Sequence, residues 1–380
     1  VSSKLKQSAV FLGGALVLLL LATAASTDGF KSFGGSMSGE RLERAKRSPF
    51  YRDGRFHNER ETTVMKPGSM WGAASAWFSG KEMRSPNCPL PLADPKAALQ
   101  KAPESELRLT WFGHSTVLVE IDGHTLLTDA HFSERASPST WVGPKRFHAP
   151  PLALDALPEL DAVLISHDHY DHLDMATVKA LAKKTRRFLV SLGVGAHLEA
   201  WGIDPKQVVE LEWWQQESLG TGLIVAATPA QHFSGRLLSQ DLTQWASWTI
   251  VGPKHRVFFS GDTGLGPHFE AIAKRYGPID VSMLEIGQYN ERWGDIHLGP
   301  QGAIEAHRLL GASKLLPIHW GTFELGYHSW SGPAEELFDA AGKQGVALLT
   351  PKLGEPIEPA KVEASHAWWR SLPPTAPACP

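Results

Sequence analysis

Residues 166–172 read Ser-His-Asp-His-Tyr-Asp-His, which puts three imidazoles and two carboxylates into seven positions. They follow directly on the apolar run 161–165 (Asp-Ala-Val-Leu-Ile), whose length and composition predict a buried strand. The histidines therefore leave a sheet at a strand end, where α/β architectures tend to place their chemistry. Imidazole nitrogen and carboxylate oxygen are the ligands that Zn²⁺ and similar divalent ions favour, and a cation is a physical reason to crowd such groups together. Two cations can share the cluster, with His167 and His169 facing one and Asp171 and His172 the other. A charged loop of ordinary hydrogen-bonded histidines is the competing reading, and it gives no reason for the crowding.

Three more residues of ligand type end predicted strands: His232 after Thr228-Pro229-Ala230-Gln231, Asp262 after Phe259-Ser260-Gly261, and His319 after Leu316-Pro317-Ile318. Any one of them alone fits a structural role, but all three repeat one layout of β-run followed by ligand type. Strands are expected at 107–111, 117–121, 125–128, 162–166, 188–190, 223–228, 249–251, 257–260, 281–286, 314–317 and 347–349, with Asp122-Gly123 as a hairpin turn. Helices are expected at 175–183, 268–275, 300–310 and 333–343, with Asp174 as N-cap of the first and Pro300 at the first position of the third. Meandering strands followed by strands alternating with helices imply two sheets with helices outside.

With 42% hydrophobic and 20% charged residues the chain has a globular balance, and a net charge of −3 leaves no electrostatic footprint for nucleic acid. The two cysteines, Cys88 and Cys379, form no Cys-x-x-Cys pair, so thiolate metal sites and redox motifs are unsupported; a disulfide between them suits an oxidising compartment. Near the N-terminus, Lys4 and Lys6 precede an apolar stretch over 9–25 that contains Ala22-Thr23-Ala24. This reads as a secretory leader, or alternatively as an uncleaved membrane anchor, over 1–25. The expected organisation continues with an irregular lead-in over 26–106 that wraps the core, a catalytic domain over 107–355 and a Pro-rich tail over 356–380. Export to the periplasm or cell envelope follows from the leader, with membrane association through it as the variant.

Taken together, the five histidine- and aspartate-bearing motifs resemble the metallo-β-lactamase fold, and the chain is similar to the N-acyl-phosphatidylethanolamine-hydrolysing phospholipase D family and its bacterial relatives. The narrower likeness rests on 51–56 (Tyr-Arg-Asp-Gly-Arg-Phe), 111–116 (Trp-Phe-Gly-His-Ser-Thr), 136–139 (Ala-Ser-Pro-Ser), 143–147 (Gly-Pro-Lys-Arg-Phe), 164–174 and 318–323. The resemblance implies an αββα four-layer sandwich with the metal site at the strand-end edge between the two sheets. It also implies that His167, His169 and His232 bind one metal, that Asp171, His172 and His319 bind the second, and that Asp262 bridges them. Ala130 and the segment 285–293 depart from the family pattern, and the second departure falls where substrate walls are expected.

Two Zn²⁺ ions ~3.5–4 Å apart can hold a bridging hydroxide and clamp the attacking and leaving oxygens of a displacement, with Mn²⁺ or Fe as alternatives for mixed nitrogen and oxygen ligands. The family likeness implies a phospholipid or small phosphodiester substrate of N-acyl-phosphatidylethanolamine type, met at a membrane surface, and a homodimer is a further expectation. Beyond the ligands, Asp168 is expected to orient a histidine or protonate the leaving group. His297, just before a helix, is expected to act on a phosphate oxygen, and Trp293, Tyr289 and Gln231 are expected to contact substrate. His114 is expected to be structural, or to support a ligand from outside the coordination sphere. Trp213, Trp214, Trp245, Trp248, Trp293 and Trp330 are candidates for an acyl-chain groove. Two other readings remain open: a metal-dependent lactonase or other carbonyl-ester hydrolase, and a non-catalytic envelope protein that retains its metal site.

Overall fold

A computed structural model describes residues 29–66, 82–237, 239–290 and 293–372. The leader expected over 1–25 and the pairing partner Cys379 lie outside them. Among the described residues no helix is long and apolar enough to cross a membrane. Strands β1 (Tyr51–Arg52) and β2 (Arg55–Phe56) form a small hairpin. The remaining strands are β3 (Leu107–Gly113), β4 (Thr116–Ile121), β5 (His124–Thr128), β6 (Leu160–Ile165), β7 (Thr185–Ser191), β8 (Val208–Leu211), β9 (Gln216–Gly220), β10 (Leu223–Thr228), β11 (Ser247–Val251), β12 (Arg256–Phe259), β13 (Ile279–Glu285), β14 (Ala312–Ile318) and β15 (Pro356–Ile357).

They build two sheets, in the orders β15-β3-β4-β5-β6-β7-β8 and β14-β13-β12-β11-β10-β9. Each sheet is antiparallel on one side and parallel on the other: β5 to β8 run parallel in the first, β12 to β14 in the second. Successive side chains of a strand point to opposite faces, so a strand covered on both sides must be apolar at every position. In β6 and β7, Ala162, Leu164 and Leu189 join the core between the sheets, while Val163, Ile165, Phe188 and Val190 pack outward. The helices Met175–Leu181 and Gly195–Ala200 cover that outer face through Val178, Leu181 and Leu198. Helices His268–Tyr276, Gly299–Leu310 and Gly332–Gln344 cover the other sheet through Phe269, Ile272, Ile304 and Leu337. The result is the expected αββα sandwich.

Some expectations need correction. Residues 347–349 form no strand, only a bridge from Leu348 to Leu315, while β8, β9 and the helix Gly195–Ala200 went unpredicted. The lead-in holds a helix at Gly39–Lys46, whose Arg41 pairs with Glu199 at 2.6 Å and Glu210 at 2.8 Å. Its charges are tertiary contacts, so apolar periodicity could not reveal it. Residues beyond 355 pack back on the core: β15 pairs with β3, and Trp368 and Trp369 lie buried 5.8 and 5.3 Å from Trp320. Trp213, Trp245, Trp248 and Trp330 are buried in the core, and Trp214 lies under Arg275. Large aromatics fill interiors for the same reason they fill ligand grooves, and here the interior takes them.

Three buried histidines away from the strand-end cluster make stability pH-dependent. Burial holds His148, His268 and His307 down to about 4, with a hydrogen bond between Ser282 Oγ and His307 Nδ1 at 2.9 Å fixing the last ring. An unfolded imidazole titrates near 6.5, so between those values the unfolded state binds more protons. Stability is therefore complete above about pH 6.5 and declines as pH falls toward 4, by up to about 1.4 kcal/mol per pH unit for each histidine. Urea midpoints measured from pH 7.5 to 5 are expected to fall, and His307→Asn to make the fall shallower. An unchanged slope in that variant would contradict this account.

Candidate metal centre

The cluster is assembled by strand ends that meet at one edge of the sandwich. The chain leaves β6 into 166–172, β10 into His232, β12 into Asp262 and β14 into His319, while the β3–β4 turn brings in His114. Gly261 shows why the approach to Asp262 needs glycine: its φ is +54°, and an added Cβ would lie 2.5 Å from Cβ of Ser166.

Among the described residues three overlapping groups of ligand-type atoms result, each within a 4.8 Å span: His167, His169, His232 and Asp262; His114, Asp171, His172 and His319; and Asp262, Glu285, His297 and His319. In the first, Nδ1 of His169 lies 2.8 Å from Nε2 of His167 and 3.4 Å from Nε2 of His232; Asp262 Oδ2 is 3.9 and 3.7 Å from those two Nε2 atoms. In the second, Asp171 Oδ2 lies 3.2 Å from His172 Nε2 and 3.5 Å from His319 Nε2. Asp262 reaches the same two nitrogens at 3.2 Å through Oδ2 and 3.1 Å through Oδ1. Every residue expected as a ligand is thus brought to one place.

The far sides of the rings are fixed. Nδ1 of His167 bonds Ser166 Oγ (2.9 Å), Nδ1 of His172 bonds Asp129 Oδ2 (2.7 Å), and Nδ1 of His232 bonds the carbonyl of Ile296 (3.0 Å). A bond at one ring nitrogen sets the tautomer and aims the other inward. Asp129 also accepts from Ser166 N (2.7 Å) and Oγ (2.6 Å), so one buried carboxylate steadies two ligand-bearing residues. Asp129, His114 and His319 have φ of 32°, 50° and 65°, a left-handed backbone that non-glycine residues adopt at a cost.

The charge pattern suits a cation. Burial alone would raise Asp262, yet the charges of His172 and His319 hold it well below the usual carboxylate range; Asp171 is likewise held down against burial by His172, by the contact with His114 and by the nearby His319. Burial opposes protonation of His319 too, but Asp262 and Asp171 push it up to about 10, and they raise His172 well above its ordinary value. Burial pushes His167, His169 and His232 down. Protons on His172 and His319 thus stand where the ionised carboxylates demand positive charge. The inward nitrogens of His172 and His319 and Oδ1 of Asp262 are buried without a hydrogen bond. Such orphaned atoms are costly unless a cation satisfies them, so the donor set fits a divalent metal.

A cleft of about 230 Å³ opens onto His169, Asp171, His232, Asp262 and His319. Its wall is largely apolar: Val64, Met65, Phe233, Trp293, Ile296 and Leu325. Part of that wall comes from the lead-in, where Met65 bridges to Trp293, and Gly294 N and Asp295 N donate to the carbonyls of Val64 and Thr63. His297 also lines the cleft, its Nδ1 bonded to fully buried Glu285 at 3.0 Å and its ring 5.6 Å from that of His319.

Other expectations are corrected. Asp168 points away from the cluster, as alternation along the turn implies, and the histidine it bonds is His197 (Nε2, 3.2 Å), no ligand candidate, with Gly235 N at 2.7 Å, so leaving-group protonation is what the geometry does not support. It anchors the 233–237 loop. Tyr289 bonds Glu336 (2.8 Å) and stacks on His328, and Gln231 donates to the carbonyl of Asp295 (2.7 Å); neither lines the cleft, whereas Trp293 does. The sequence reading missed Glu285, Asp129, Val64, Met65 and Phe233. A charge ending the buried strand β13 was the available signal for Glu285.

A family profile described as "Beta-lactamase superfamily domain" matches residues 124–320. An uncharacterized protein of Mycobacterium tuberculosis is 45% identical, covering 86% of this chain and 88% of that protein. The N-acyl-phosphatidylethanolamine-hydrolyzing phospholipase D 1 of Caenorhabditis elegans is 36% identical, covering 66% of this chain and 76% of that protein. Among solved structures, Igni18, a metallo hydrolase from the archaeon Ignicoccus hospitalis, superposes with a TM-score of 0.52 at 23% identity, over 66% of this chain and 97% of that one, which supports the fold. With its fold and a site suited to divalent cations, the chain belongs to the β-lactamase superfamily, among the metal-dependent hydrolases of the metallo-β-lactamase fold.

Proposed function

We propose that the protein is a binuclear zinc-dependent phosphodiesterase of phospholipase D type, acting on N-acyl-phosphatidylethanolamine-like phospholipids. The observation that carries this reading is Asp262, facing two histidine-rich groups beneath an apolar-walled cleft. His167, His169 and His232 would hold one cation and Asp171, His172 and His319 the other, with Asp262 shared. Cations bound there would activate a water and neutralise phosphoryl oxygens. The chain's own residues do the rest. The apolar wall takes the beginning of an acyl chain and keeps bulk water from the phosphoryl group. His297, anchored by Glu285 through Nδ1, presents Nε2 to the departing oxygen and supplies its proton. In balance, water adds its oxygen to phosphorus, the bond from phosphorus to the ethanolamine oxygen breaks, and phosphatidate and an N-acylethanolamine leave. The likeness to the Caenorhabditis elegans enzyme supports the substrate class.

Export to the envelope is part of the proposal and rests on the basic, then apolar, N-terminal composition. A membrane-surface partner suits a substrate that resides in a bilayer, and Trp141, 69% exposed beside exposed Val142, offers an interfacial contact. The test combines elemental analysis with a substrate panel. Two zinc ions per chain are expected, with turnover of N-acyl-phosphatidylethanolamine exceeding that of lactones and cephalosporins. Dialysis against a chelator should abolish turnover and added Zn²⁺ restore it. Full activity in a metal-free preparation, or a lactone preferred over every phosphodiester, would overturn the reading.

A further inference from the structure

We infer that His114 is a positioning residue that ties two ligands of the second cation group, Asp171 and His319, into one unit. The inference rests on the two-cation reading above. His114 is fully buried in the β3–β4 turn of the first sheet, whereas His319 ends β14 in the other sheet and Asp171 lies in the loop after β6. Its side chain and its backbone hold different partners. Nε2 lies 2.9 Å from Asp171 Oδ2, within hydrogen-bond distance. The carbonyl of His114 accepts from His319 N at 2.9 Å and from Trp111 Nε1 at 2.9 Å, while its own N–H donates to Thr322 Oγ1 at 2.7 Å. The His114 and His319 rings lie 4.2 Å apart, centroid to centroid. Both residues carry positive φ, so the two turns are strained against each other and joined by the hydrogen bond between them.

This geometry separates positioning from ligation. The nitrogen nearest the centre is spent on a carboxylate oxygen, and the other, Nδ1, is buried without a hydrogen bond. His114 therefore orients Asp171 and fixes where His319 leaves its strand. A polar contact one step behind a ligand typically sets metal affinity by 10- to 100-fold. In the first group His167 and His232 are held instead by Ser166 and the carbonyl of Ile296, and among the described residues no hydrogen bond joins His114 to either. Loss of His114 should thus act on one cation and spare the other.

The test uses the full-length protein loaded with Zn²⁺ and, separately, Co²⁺. In His114→Ala, one of two cations is expected to be lost at roughly 10- to 100-fold lower chelator concentration than in wild type, with the other retained as before. His114→Gln, which keeps an N–H donor, should restore retention and give the wild-type Co²⁺ visible spectrum, since no coordinating atom has changed. Wild-type retention in His114→Ala would overturn the inference. So would an altered Co²⁺ spectrum in folded His114→Gln, which would make His114 a ligand. If His114→Ala does not fold, the His114→Gln titration and spectrum still decide the question. A wild-type protein that binds a single cation would fail the two-cation reading itself, an outcome distinct from any difference between the variants.

Discussion

Replacing Asp262 with Asn is expected to lower kcat/KM by at least a thousandfold, about 4 kcal/mol of transition-state stabilisation. Asn keeps the shape of the side chain but removes the charge that both histidine groups face. Asp262 stands within 3.9 Å of His167, His172, His232 and His319, and so serves both groups. Without it the upward pull on His319 and His172 weakens, since Asp262 is the largest favourable influence on each. Less negative charge then remains at the centre for cations to compensate. Elemental analysis should find fewer than two metals per chain while far-UV circular dichroism stays unchanged. Two retained metals with near wild-type turnover would remove Asp262 from the proposal.

The second large effect is expected from His297→Ala, a fall in kcat of about 10²- to 10⁴-fold, the usual worth of a positioned acid or base. Metal content should not change, because His297 lies in the cleft wall with its Nδ1 committed to Glu285. That split distinguishes it from Asp262, where activity and metal content fall together. A leaving group that needs no proton, such as a nitrophenolate, should rescue much of the loss. Equal losses on activated and unactivated substrates would show that His297 positions the substrate and does not transfer a proton.

The seven ligand-type residues were legible because chemistry forced them out of pattern: imidazoles and carboxylates stand directly after apolar strands. The groups behind them were not. Asp129 follows β5 as an ordinary strand-end aspartate, and only the fold brings it 2.7 Å from His172, 43 residues on. Glu285 hides at the end of a strand that reads as continuous core. Asp168 sits among ligands in sequence and faces away in space, because neighbours in a tight turn diverge. Tryptophan carries no directional signal, so the groove and core readings of Trp213, Trp245, Trp248 and Trp330 could be separated only by burial. The αββα order was readable because the strand and helix periods alternate, but the helix Gly39–Lys46 was not, since its stabilising partners Glu199 and Glu210 lie more than 150 positions away.

Val64 and Met65 reach the cleft from a stretch of chain well before residue 124, where the superfamily match begins, whereas the seven cation-facing side chains all fall inside that match. Part of the cleft wall is thus written outside the stretch that carries the cation-facing residues, while Phe233, Trp293 and Ile296 lie within it. On the proposed reading, a lineage that exchanged its lead-in would reshape one side of the substrate cleft while keeping every cation-facing residue in its sequence.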